Sequence, residues 1–176
     1  IVLTTVVCFS AYFVLNELLF HKLYGFFNDL IQQKGVSFLI AYIIVGIPIF
    51  IGARIINKNW IEGLVLNKSI MKGFVFALIC TLPMLIGYAS FFDFNQELTL
   101  NAVITGSIAA AFFEELYFRA FLFGQIHRYT RIGFIPAIAI GALLFGSVHL
   151  YQSQDFGTII GIFFATFFGA IWFAWL

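Results

Sequence analysis

Residues 101–123 read Asn-Ala-Val-Ile-Thr-Gly-Ser-Ile-Ala-Ala-Ala-Phe-Phe-Glu-Glu-Leu-Tyr-Phe-Arg-Ala-Phe-Leu-Phe. The run is long enough to cross a bilayer, which takes about 20 predominantly apolar residues in a helix. Its apolar residues are continuous rather than alternating, so it reads as a helix and not a half-buried strand. Similar runs lie on both sides. Six spans are expected, over roughly 1–20, 36–53, 73–90, 102–126, 134–151 and 157–176. The first lacks the basic flank and small-residue cleavage site of a signal peptide, and five more follow, so it counts as a membrane helix.

Composition says the same. Of the 176 residues, 62% are hydrophobic and only 10% charged, against roughly 25% charged in soluble domains. Mean hydropathy is +1.04. Nine basic and eight acidic side chains cannot give such a chain a polar skin. A soluble globule, a disordered chain, a nucleic-acid binder and a disulfide scaffold are excluded. In lipid only helices or closed barrels satisfy their backbone, so the fold class is an all-α polytopic transmembrane bundle. With no linker, repeat or low-complexity run, residues 1–176 form a single domain. Cys8 and Cys80 each sit in an apolar run and read as small apolar thiols.

The loops carry most of the charge. Segments 54–72 and 127–133 hold Arg54, Lys58, Lys68, Lys72, Arg128 and Arg131, whereas the opposite loops hold Lys22 and Lys34. The positive-inside rule places the first set, and both chain ends, in the cytoplasm. Segments 21–31 and 55–72 mix aromatic and polar residues and are expected as short interfacial helices. Pro48, Pro83 and Pro136 are expected to kink spans. Gly157, Gly161, Ala165 and Gly169 recur every four residues and predict a face for close helix contact.

Three charges lie inside the quoted run: Glu114, Glu115 and Arg119. One charge near the centre of a membrane helix costs roughly 2.5–3.5 kcal/mol on insertion scales. They must therefore face the bundle or a watery cavity. Glu115 and Arg119 are four apart, in the favourable order for an ion pair. Glu114 lies about 100° around the helix and points elsewhere. A carboxylate left free there suits a general base, a metal ligand or a proton relay.

His149 is the only histidine inside a span. Counted from the cytoplasmic turn at ~1.5 Å per residue, Glu114 lies at roughly 18 Å and His149 at roughly 24 Å, on consecutive helices. The two side chains can therefore face one cavity. His21 and His127 read as interfacial. Asn16 and Glu17 lie in the first span near His21 and Lys22, so Glu17 reads as snorkelling to the interface.

Glu114-Glu115-x-x-x-Arg119, with Phe145-x-x-x-His149 one span later, resembles the CPBP family, the CAAX prenyl endopeptidase and bacteriocin-processing (Abi) intramembrane proteases. The resemblance is clearest over 106–150 and extends to 176, so the protease core is expected in 101–176. It implies that Glu114 is the catalytic glutamate, activating water or holding a metal. Glu115 and Arg119 complete the first motif, His149 is the second-motif histidine, and Phe145 is its aromatic position. Ala120 departs from the glycine that many members have after the arginine. The family's third motif, a histidine with Asn or Asp four residues later, is absent. The chain begins without methionine and stops in an apolar run, so it is expected to be a fragment that lacks that motif.

The implied activity is hydrolysis of a peptide bond in a membrane-associated peptide or lipidated protein, in a bacterial plasma membrane, with links to bacteriocin maturation or immunity. The implied cofactor is a divalent metal, zinc above others, with Glu114 and His149 as ligands. Zinc usually takes three protein ligands and a water. A metal-free route in which glutamate and histidine act directly is the other possibility. Two further readings use the same residues: a proton-coupled transporter with Glu114, Glu115 and His149 as a relay, and a non-catalytic scaffold. No inverted repeat favours the transporter.

Overall fold

The computed structural model describes residues 1–68, 70–93 and 95–175. Residues 69, 94 and 176, which fall in the expected loops 54–72 and 91–101 and at the end of the expected last span, lie outside the described residues. Among those described, every regular element is helical.

Helix α1, Val2–Ile31, is followed by α2, Lys34–Val45, and α3, Ile47–Ile56. A short α4, Trp60–Gly63, leads to α5, Ile70–Phe91. Next comes a continuous helical rod, 100–129, labelled α6. It alternates α-turns with two π-helical stretches, Val103–Ala109 and Glu115–Phe123. Helices α7, Phe134–Val148, and α8, Phe156–Trp175, complete the chain, joined by a 3₁₀ turn at Leu150–Gln152.

Four helices are each long and apolar enough to cross a membrane: α1, α5, α7 with its 3₁₀ turn, and α8. The pair α2–α3, bent by 47°, makes a fifth if it counts as one span. Six were expected. The expected span 102–126 exists as part of α6, but it differs from the others: it carries the three charges and is broken into α- and π-helical turns. It is also the most buried element. Phe113, Leu116, Tyr117, Phe118, Phe121, Leu122 and Ile126 join Phe9 and Tyr12 of α1 and Val45, Ile49 and Ala53 of α2 and α3 in one core. The helix with the least uniform hydropathy is thus the one the others surround.

Segment 21–31 continues α1 rather than forming a separate interfacial helix. At about 1.5 Å per residue the 30-residue α1 reaches roughly 45 Å, well beyond the hydrocarbon thickness. Within 55–72, between the end of α3 at Ile56 and the start of α5 at Ile70, the one helix among the described residues is α4. It folds against the bundle, with Leu64 buried and the Trp60 ring 6.0 Å from that of Phe50. Beneath it, the Gly63 carbonyl accepts hydrogen bonds from Gln125 Nε2 at 3.1 Å and from the Arg128 guanidinium at 2.7 Å.

The prolines differ in effect. Pro48 sits in the first turn of α3, beside the 47° bend. Pro83 lies inside α5. Pro136 falls in the first turn of α7, where its missing N–H costs nothing. Gly133, with φ of 84°, takes the left-handed backbone that turns the chain from α6 into α7.

The small-residue face of α8 is not its contact face. Nothing among the described residues lies within 4 Å of a Cβ built at Gly161 or Gly169. Helix α8 meets α7 elsewhere: a Cβ at Gly146 would stand 3.1 Å from the Phe163 ring. No described side chain of α5 is buried, so most of the apolar surface of its described residues is available to lipid. Cys8 and Cys80 are free thiols, and Cys8 packs where Gly52 lets α1 approach α3.

Candidate active site

Glu114 ends the α-helical stretch Ala110–Glu114, and Glu115 opens the second π-helical stretch. π-turns inside α-helices are rare and frequent at functional sites. The two adjacent carboxylates go different ways. Glu115 is 53% exposed and forms an ion pair with Arg119, as its spacing predicts. Glu114 is half-buried and lines two small cavities, one on each side of α6.

The first cavity, of 20 Å³, brings Glu114 to Arg119, Phe145 and the small residues Gly141, Ala142 and Ala170. Arg119 is 18% exposed, and its guanidinium carbon lies 5.2 Å from the centre of the Phe173 ring. Arg119 therefore has three neighbours that favour a cation: Glu115 in direct contact, Glu114 within electrostatic reach, and an aromatic face.

The second cavity, of 80 Å³, brings Glu114 to His149. His149 caps the end of α7, where the chain turns into the 3₁₀ segment. The two groups lie within electrostatic reach of each other. The His149 Nδ1 stands 2.7 Å from the Phe145 carbonyl. A carbonyl only accepts, so Nδ1 carries the proton and Nε2 keeps a free lone pair. His149 is thus a helix-end histidine bonded to a backbone carbonyl. Phe145 packs edge-on to Phe118, with centroids 5.3 Å apart, and tilted against the His149 ring at 4.5 Å. It supports the imidazole from below.

The rest of the cavity wall was not foreseen. Tyr12, Asn16 and Glu17 come from α1, Tyr42 from α2 and Tyr151 from the turn after α7. Glu17, read from sequence as snorkelling, shares this cavity with Glu114. The polar pair Asn16-Glu17 in an apolar run was the available signal for α1. The tyrosines gave none, because aromatic residues are everywhere in this chain. His127 lies away from the site, stacked on Phe123 at 5.6 Å.

Comparison with protein families finds a match. Residues 96–176 match the family described as type II CAAX prenyl endopeptidase Rce1-like. This segment is similar to that family. The match supports the CPBP membership suggested by the two motifs, and it begins close to the start of α6. The Rce1-like segment contains Glu114, Glu115, Arg119, Phe145 and His149, whereas Asn16, Glu17 and Tyr42 lie outside it. Searches of curated proteins and of solved structures gave no match. The apolar helices make the chain an integral membrane protein, and its segment 96–176 is similar to the CAAX-protease family.

The donor set was tested for a metal. Glu114 and His149 offer one carboxylate and one imidazole lone pair to the same cavity. Among the described residues no group of three or more His, Cys, Asp or Glu is placed to hold an ion. The two donors fall short of the three that zinc usually takes, so no step below is routed through a metal.

Proposed function

We propose that the chain is an intramembrane endopeptidase that hydrolyses a peptide bond of a membrane-associated or lipidated peptide, with Glu114 as general base and His149 beside it. One observation carries the reading: Glu114 and His149, from two consecutive helices of the Rce1-like segment, line one cavity inside an otherwise apolar bundle.

Hydrolysis needs an activated water, a held carbonyl and donors for the oxyanion. Glu114 accepts a proton from water as the water oxygen attacks the carbonyl carbon. The free Nε2 lone pair of His149 accepts a second hydrogen bond from that water and fixes its direction. The phenols of Tyr12, Tyr42 and Tyr151 border the cavity and are the available oxyanion donors. Glu114 then gives its proton to the departing amine. Glu115 and Arg119 stand behind the site, where the pair holds charge balance in α6. A divalent metal, zinc first, remains a second form of the same proposal; Glu114 and His149 would be its ligands here. The basic loops 54–72 and 127–133 are proposed to face the cytoplasm of a bacterial cell.

The test is cleavage of a membrane-embedded peptide by the purified protein. Glu114→Ala and His149→Ala are each expected to abolish cleavage with expression retained. Full activity in either variant overturns the site assignment. Loss of activity on chelation, restored by zinc, would select the metal form over the direct one.

A further inference from the structure

The Glu114–His149 cavity does not stop at Glu17. A second cavity of 310 Å³ shares Asn16, Glu17, Tyr42 and Tyr151 with it and extends along α1 to His21. Glu17 and His21 are four residues apart and share one face of α1, Asn16 lies about 100° around from Glu17, and all three line this cavity. Tyr12 links the two ends, lying within electrostatic reach of both Glu17 and Glu114. The larger cavity is far roomier than the ~15 Å³ one water needs, and its walls hold several polar partners for water.

We infer that Asn16, Glu17 and His21 form a water-filled antechamber feeding Glu114, and that Glu17 is a positioning residue in it. Its role in supply rests on the hydrolytic reading; its hydration does not. Each turnover forms a C–O bond from one water and breaks the amide C–N bond. One proton of that water passes through Glu114 to the amine. The other is carried by the new carboxyl group and ionises into the surroundings. Lipid can neither deliver the water nor take that proton. The antechamber does both, and Glu17 orders the water chain at its narrow end, where the two cavities meet.

The experiment has two arms. In a Cys8→Ala/Cys80→Ala background, single cysteines replace Asn16, His21 and, on the lipid-facing side at the depth of Glu17, Leu18, which is 62% exposed. The membrane-embedded protein is treated with a water-soluble thiol reagent, which attacks only the hydrated thiolate. Asn16→Cys and His21→Cys are expected to react at least about tenfold faster than Leu18→Cys. Equal rates at positions 16 and 18 overturn the antechamber. In the second arm, Glu17→Leu is expected to lower kcat for peptide cleavage with KM unchanged, and Glu17→Gln to restore most of it. An unchanged kcat in Glu17→Leu overturns the positioning role. A wild-type protein that cleaves no peptide sinks the hydrolytic reading and the supply role with it, while the labelling arm still decides the antechamber.

Discussion

The phenol of Tyr117 on α6 donates a hydrogen bond of 2.9 Å to the carbonyl of Tyr42 on α2, at the bend where α2 gives way to α3. The same carbonyl accepts the Gly46 N–H at 3.0 Å, so Tyr117 adds a second donor to it from 75 residues away and ties α6 to the bend. Gly46 makes room for it: a Cβ there would collide with the Tyr117 phenol. Gly46→Ala is therefore expected to destabilise the fold by roughly 1–3 kcal/mol, as overpacking does. Tyr117→Phe, which removes only the hydrogen bond, is expected to cost about 1 kcal/mol. Thermal unfolding in detergent checks the order. A Gly46→Ala protein as stable as wild type would show that the phenol is not held at the bend.

Arg119 and Glu115 form an ion pair but are not equally needed. If Glu115 is removed, Arg119 keeps Glu114 within electrostatic reach and the Phe173 face. If Arg119 is removed, Glu114 and Glu115 are left side by side without their cation, and breaking a buried pair costs roughly 3–5 kcal/mol. Arg119→Ala is expected to lower folded yield and thermal midpoint far more than Glu115→Ala. Equal losses would mean that the pair, and not the wider cluster, neutralises α6.

These relationships show what the sequence could and could not carry. The spans were legible because hydropathy is a local property, and the ion pair because four-residue spacing fixes a helix face. The Pro48 bend was legible as a kink, but its partner Tyr117 was not, since no local pattern links residues 42 and 117. Spacing alone misled in α8: Gly157, Gly161, Ala165 and Gly169 do share a face, yet α7 packs against another. Glu114 and His149 were placed in one cavity by counting rises along consecutive helices. Glu17 was assigned to the interface because only its distance from His21 and Lys22 was weighed. That it borders the same cavity depends on how α1, α2 and α7 converge, which is tertiary information.

Gln125 is buried at 1% exposure, with its Nε2 bonded to the Gly63 carbonyl and its Oε1 without a hydrogen-bond partner among the described residues. A buried acceptor without a donor is a cost that an apolar side chain of similar shape avoids. The Gly63 carbonyl meanwhile keeps its bond from Arg128. Gln125→Met is therefore expected to stay within about 1 kcal/mol of wild type. Adding Arg128→Met removes the second donor, so the double variant is expected to lose more than the sum of the two single changes. A double-mutant cycle on thermal unfolding measures the coupling, and strict additivity would count against a shared carbonyl.

Asp155 stands just before α8 and accepts hydrogen bonds of 2.8 Å from both the backbone N–H and the hydroxyl of Thr158. This is a helix N-cap: a side-chain oxygen satisfies one of the first free N–H groups. The backbone bond from Thr158, and then its hydroxyl, hold the Asp155 carboxyl below its ordinary value of 3.8. A group whose folded value is depressed stabilises the fold above its unfolded value and loses that effect as pH falls through the folded one. The start of α8 is therefore expected to fray only in acid below the ordinary aspartate range. Amide hydrogen exchange at Thr158 should rise there beyond what the intrinsic exchange rate predicts. Asp155→Asn, which caps without titrating, is expected to remove the acid-induced rise while leaving the neutral-pH protection largely intact. Asp155→Ala should expose the Thr158 amide at every pH, while Ile159 keeps its bond to the backbone carbonyl of residue 155. An acid-induced rise that persists in Asp155→Asn would assign the fraying to another group.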